Sequence, residues 1–169
     1  MVMAPTLIEL LESQHAQSWG WALACCEWQH ASAEDALQEA YLRVLDGRAR
    51  FDSQSSEKTW FFGVIKHVAA EQRRKQARQG LLQVFYRQRA ANEPTVEAAP
   101  DLELDQSSRA LRQALLVLPA RQREILHLVF YSELSLAEAA TAAGMSVGSA
   151  RTHYHRGKQR LQQLLDEQP

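Results

Sequence analysis

The chain has 169 residues, 46% of them apolar, and a formal net charge of −1. That length suits one ordinary domain or two small ones, and that apolar share excludes global disorder. No apolar run approaches the ~18–20 residues of a membrane span, and the first residues lack a basic segment ahead of a long apolar one, so neither membrane insertion nor a secretory signal is expected.

From the N-terminus, apolar residues at helical spacing (Leu7, Leu10, Leu11, then Trp19, Ala22, Leu23, Cys26) predict a helix from Leu7 to about Glu27. Cys25 and Cys26 are adjacent, a spacing that strains a disulfide, and they read as buried thiols of a reducing cytoplasm. The His residues are scattered without a Cys pair at metal spacing, so no metal site and no cofactor is expected. Ser32, with Asp35 three residues on, resembles a capping box that opens a helix whose stripe is Leu37, Ala40, Tyr41, Val44 and Leu45. The Gly, Asp and Ser of DGRARFDSQSSEK then predict a loop. Thr59 begins a further helix, apolar in its first half and basic in its second. Trp60, at its start, is expected in the core.

Charge is distributed in blocks. Residues 1–57 carry net −6, residues 58–90 net +7, residues 91–108 net −5 and residues 109–169 net +3. The near-zero total argues against a nucleic-acid partner. The blocks argue for one, because phosphate attraction is a local field effect. From about Gly80 to Ser108 the periodicity weakens and prolines and acids accumulate, which predicts a linker. Periodicity returns at Ser108, and Pro119 splits the periodic stretch into two helices, the second starting near Ala120.

The segment SLAEAATAAGMSVGSARTHYHRGKQRL, from Ser135 to Leu161, has the order of a helix-turn-helix. Leu136–Ala143 makes two turns, Gly144 supplies a positive φ, and Ser146 is an N-cap for a second helix. The small residues Ala137, Ala139, Ala140 and Ala143 allow close crossing. The second helix presents Ser149, Arg151, Thr152, His155, Arg156 and Lys158, side chains suited to base edges and phosphates in a major groove. A plain solvated helix pair is the alternative on pattern alone.

Two blocks extend the pattern to a known family. AEDALQEAYLRVLDGRARFDSQSSEKTWFFGVIKHVAAEQRRK resembles region 2 of the sigma-70 family, in the short extracytoplasmic-function (ECF) group. LPARQREILHLVFYSELSLAEAATAAGMSVGSARTHYHRGKQRL resembles region 4 of the same group. The resemblance implies an all-α chain of two small helical domains, region 2 at 5–88 and region 4 at 109–167, joined by a flexible acidic linker at 89–108. It implies a cytoplasmic, non-enzymatic factor that binds core RNA polymerase at its clamp coiled coil and flap. Such a factor reads promoter DNA both as duplex and as melted strand, and is held inactive by an anti-sigma factor.

Carried onto this sequence, Asp35, Gln38, Glu39, Leu42 and Arg43 fall where the family docks on the polymerase clamp. The loop Phe51–Lys58 matches the segment that holds a flipped base, with Ser53, Gln54, Ser55 and Ser56 as its polar contacts and Lys58 among the −10 DNA-binding residues. Lys66, His67, Arg73, Arg74 and Lys75 on the next helix fall near phosphates of the separated −10 strand. Glu57, Lys58, Gly63 and His67 depart from the family's usual residues. For the −35 element the resemblance implies Arg151, Thr152, His155 and Arg156 as readers, Ser149 and Lys158 on phosphates, and Arg121 and Arg123 on the backbone. The two elements lie about 17 base pairs apart, roughly 58 Å. A flexible 28-residue coil spans roughly 30 Å on average, so the linker must be extended when both domains engage. A conventional helix-turn-helix regulator with an N-terminal sensing or dimerisation domain is the competing reading, and it would need neither the docking helix nor the basic melting helix. An enzyme would need a nucleophile–base set or a phosphate loop, and the sequence offers neither.

Overall fold

A computed structural model describes residues 6–87 and 106–166, with side chains over 6–80 and 109–166. Its elements are α1 (Leu7–Ser13), α2 (His15–Cys25), α3 (His30–Leu45), α4 (Glu57–Arg87), α5 (Gln106–Val117), α6 (Ala120–Leu126), a π turn (His127–Tyr131), α7 (Leu136–Ala143) and α8 (Val147–Asp166). No strand occurs among the described residues, in accord with the expected all-α class. Most of the expected linker, 89–105, lies outside the described residues. Its last three positions belong to α5, which starts at Gln106.

Helix ends follow local chemistry, and several differ from expectation. The helix expected over Leu7–Glu27 is two. Thr6 and Glu9 form a reciprocal capping box for α1, and Gln14 breaks the chain at φ −103° before α2. The capping box of Ser32 with Asp35 does not form. α3 starts earlier, after Gln29, and the Ser32 hydroxyl reaches back to Gln29 Oε1 at 3.3 Å. Consecutive left-handed residues, Glu27 (φ 54°) and Trp28 (φ 64°), turn the chain from α2 into α3. α4 starts at Glu57, ahead of Thr59, because Ser56 Oγ accepts the Thr59 N–H at 3.2 Å as an N-cap. α4 also continues past Gly80 to Arg87.

The core of the first half is α2, α3 and α4. Trp21, Phe61, Phe62, Ile65 and Val68 are completely or almost completely buried, each worth on the order of 2–3 kcal/mol by area. Trp21 Nε1 donates to the Phe62 carbonyl at 2.9 Å, so its one polar atom is satisfied. Trp60 is only half-buried, edge-on to Phe51 at a centroid distance of 5.4 Å. It packs against the core rather than within it, because Phe61 and Phe62 take the inward positions of the first turns of α4.

In the second half, α6 and α7 cross α8 closely. Gly157 makes the approach of α6 possible: a Cβ there would stand 3.1 Å from both Gln122 Cβ and Leu126 Cδ1. The buried side chains of the two halves form one continuous cluster, in which α4 packs on α7 and α2 on the π turn.

Candidate nucleic-acid interface

The helix-turn-helix is built as its sequence predicts. Ser135 and Glu138 form a full capping box at the start of α7. Gly144 ends it at φ 66°, ψ 44°, in the left-handed region. Ser146 Oγ accepts the Ser149 N–H at 3.1 Å and caps α8. Ala150 and Gly157 face inward. Ser149, Arg151, Thr152, His155, Arg156 and Lys158 are all exposed, leaving a polar helix face with no described residue over it. Ser149 and Thr152 keep local bonds, to Ser146 Oγ (3.0 Å) and the Gly148 carbonyl (3.1 Å). Lys158 lies 5.9 Å from the Tyr154 ring centroid.

Arg121 and Arg123 serve helix ends rather than projecting freely. Arg121 donates to the Ala143 carbonyl at 3.3 Å, at the end of α7, and pairs with Glu124. Arg123 donates to the Leu116 and Leu118 carbonyls at 3.2 and 3.5 Å, closing the end of α5.

In the loop before α4, Ser53 (φ 59°) and Gln54 are exposed and the Gln54 N–H is held by Asp52 Oδ1 at 3.2 Å. Ser55 is half-buried. The Ser56 hydroxyl is committed to the cap and to Thr59 Oγ1 at 2.9 Å. The cations expected along α4 divide into two groups. His67, Arg73, Arg74 and Lys75 are exposed, with His67 Nε2 3.0 Å from Glu71 and Arg73 4.0 Å from Glu27. Lys58 and Lys66 instead point into the second half. Lys58 Nζ donates to the Ser132 carbonyl, and Lys66 Nζ is 2.5 Å from Glu124 Oε1.

On α3, Asp35, Gln38 and Leu42 are exposed, Leu42 at 53%. Glu39 and Arg43 are half-buried and internally engaged. Arg43 bonds Glu39 at 2.7 Å and Glu71 at 2.5 Å, and Arg48 joins Glu39 at 3.0 Å. The hydrogen bond from Arg43 holds both the Glu39 and Glu71 carboxyls below their ordinary range. The network fixes α3 against α4 and leaves Asp35, Gln38 and Leu42 as the free part of the face.

Burial drives the Cys25 thiol far up and pushes Cys26 up to about 11, so neither is a ready thiolate. Among the described residues no group of three or more His, Cys, Asp or Glu could hold a metal ion. No described helix is long and apolar enough to cross a membrane.

The residue missed in the sequence is Glu124. It is 5% exposed, between Lys66 and Arg121. Its signal was present: it stands one turn before Leu128 and next to Ile125, on the apolar side of α6, where a carboxylate requires a cation.

Residues 13–79 match the model of sigma-70 region 2 and residues 108–161 that of sigma-70 region 4. The ECF RNA polymerase sigma factor SigX of Bacillus subtilis is 32% identical over 79% of this chain and 70% of its own length. This chain belongs to the ECF group of the sigma-70 family. The sigma factor CarQ of Myxococcus xanthus is 30% identical over 97% of this sigma factor and 92% of its own length. Among solved structures, the sigma factor RpoE of Bartonella quintana, crystallised with the anti-sigma factor NepR, superposes with a TM-score of 0.71 at 25% identity, over 96% of this chain and 98% of RpoE. Nearly the full length of both chains is covered, so the two halves superpose together and not merely one at a time.

Proposed function

We propose that this sigma factor binds core RNA polymerase in the cytoplasm, directs it to promoters by binding alone without chemistry of its own, and is held in check by an anti-sigma factor. The exposed face of α3 (Asp35, Gln38, Leu42) docks on the clamp coiled coil, with Glu39 and Arg43 shaping it from behind, and region 4 engages the flap. The loop 53–56 receives a flipped base. Lys58, Lys66, His67, Arg73, Arg74 and Lys75 line the melted −10 strand, while Arg151, Thr152, His155 and Arg156 read the −35 duplex between phosphate contacts from Ser149 and Lys158. The two working units are 5–88 and 109–167.

The observation that carries this reading is the gathering of six polar and basic residues on one uncovered face of α8, in a chain whose two family regions stand in sequence order. A helix face of that composition fits a major groove. The relatives' identity as polymerase sigma factors supports the polymerase partner, and RpoE's crystallisation with NepR supports the inhibitor.

Run-off transcription tests it. Core polymerase with this chain added should produce a defined transcript from a promoter selected from random −35/−10 libraries, and core alone should not. Duplex binding without any core-dependent transcript would instead make the chain a conventional regulator.

A further inference from the structure

The two cations of α4 that turn away from solvent mark a device at the boundary between regions 2 and 4. Lys66 and Glu124 retain 15% and 7% side-chain exposure. The Lys66 ammonium lies 5.9 Å from the centroid of the wholly buried Trp21 ring. About two turns earlier on α4, Lys58 is tied to the Ser132 carbonyl in the turn after the π segment. Gly20 leaves room for Tyr131: a Cβ at position 20 would meet Tyr131 Cε1 at 2.6 Å. Region 2 supplies both cations of this boundary, and region 4 supplies their acceptors.

This arrangement cannot hold on a promoter. α4 packs on α7, and α7 on α8. Two successive helix packings of about 8–10 Å each place α4 and α8 within roughly 20 Å. The two elements they address are separated by roughly 58 Å of duplex. Engaging both requires region 4 to leave region 2, and that separation uncovers Lys66 and Glu124 together.

We infer that Glu124 is an internal competitor for Lys66: it holds region 4 on region 2 in the free protein, and the melted DNA strand replaces it as the partner of Lys66. The inference rests on the proposed promoter role of α4. The physical basis is the difference between keeping and breaking a buried pair. A satisfied pair is close to neutral, but removing Glu124 strands the Lys66 charge out of water, and removing Lys66 leaves Glu124 with Arg121 alone. On opening, both charges regain water, and phosphate oxygens offer Lys66 the same charge-assisted bond that Glu124 gave. Anything that binds only the separated form therefore works against the latch, and anything that binds only the packed form works with it.

The test uses the full chain, first without polymerase or DNA. A compact 169-residue chain has a radius of gyration of about 15–16 Å. Small-angle scattering should find wild type in that range. Glu124→Gln and Lys66→Met, which break the pair from opposite sides, should each shift the open-to-closed ratio by at least about tenfold and raise the radius. Amide exchange on the facing parts of α4 and α7 should accelerate, while circular dichroism keeps its helical signal. The reversal Lys66→Glu with Glu124→Lys should restore compactness yet lose promoter opening, because an acid now lines α4. Glu124→Gln should also bind core polymerase more tightly than wild type. Two single variants as compact and as protected as wild type would overturn the latch. These readouts need no transcription, so failure of the latch is distinct from failure of the promoter reading, which run-off transcription by wild type decides.

Discussion

Arg43 and Glu71 stand 28 positions apart in the chain and meet at 2.5 Å where α3 lies against α4. The pair connects the face proposed for polymerase to the helix proposed for DNA. The two carboxylates that Arg43 engages, Glu39 and Glu71, titrate below their ordinary range because Arg43 donates to them. A lowered carboxyl stabilises the fold above its unfolded pKa, and that stability is lost as pH falls through the lower folded value. Arg43→Ala should therefore lower stability slightly at pH 7, by no more than about 1 kcal/mol for so solvated a network. The difference from wild type should shrink as pH falls below the ordinary glutamate range and vanish once both lowered carboxyls are protonated. Thermal melts across pH measure both.

The docking face can be separated from that network. Gln38→Lys combined with Leu42→Ala should weaken capture of core polymerase at least tenfold while changing stability by under about 0.5 kcal/mol, since both side chains are exposed. Glu39→Lys should weaken capture too, but with a lower melting point, because Glu39 is bound to Arg43 and Arg48. Equal capture by the first variant would remove α3 from the interface.

His127 lies between Trp21 and Tyr131, with ring centroids 5.6 and 4.9 Å away and no partner for its enclosed Nε2 among the described residues. Burial pulls its imidazole down to about 4. A depressed histidine contributes nothing to pH dependence above its unfolded value near 6.5. Stability then falls as pH drops from there toward 4, by on the order of 3 kcal/mol. His127→Leu should flatten this part of the pH–stability curve while leaving neutral stability within about 1.5 kcal/mol. An unchanged acid slope would place the titrating group elsewhere.

On α8, Arg151→Ala should cost ~1–3 kcal/mol on the matched −35 duplex and relax preference at one base pair. Lys158→Ala should weaken all sequences alike and reduce the salt slope by about one. Titration of single-base variants at several salt concentrations distinguishes them, and equal losses on every variant would move Arg151 to the backbone.

Gly157→Ala probes the seat of the same helix. The added methyl meets Gln122 and Leu126 at 3.1 Å, so overpacking should cost about 1–3 kcal/mol and weaken duplex binding although no exposed residue has changed. Binding at wild-type strength with a lower melting point would show that α8 tolerates the displacement.

Features governed by neighbours in sequence were legible there. Pro119 and Gly144 mark helix ends by their own backbone chemistry and Ser146 by its hydroxyl, and α6 begins, α7 ends and α8 begins where they dictate. The uncovered face of α8 also follows from periodicity alone. Ser32 misled because Gln29 begins α3 first, and a capping residue one turn inside a helix is only a serine. Arg121, Arg123, Lys58 and Lys66 read as free cations because their acceptors lie elsewhere in space. The Ala143, Leu116, Leu118 and Ser132 carbonyls are backbone atoms that no side-chain pattern announces. Glu124 was visible as an acid on an apolar stripe, but the identity of its cation depends on the packing of two halves separated by residues 88–105.

α7 lies between α4 and α8, and its buried side chains are Ala139, Ala140, Ala142 and Ala143. Alanine brings helices close but offers one methyl each, about 0.8 kcal/mol per buried carbon. A seam of leucines would have made a permanent joint. With methyl groups the adhesion along α7 is shallow, and the Lys66–Glu124 and Lys58–Ser132 contacts are left to fix how the two halves meet.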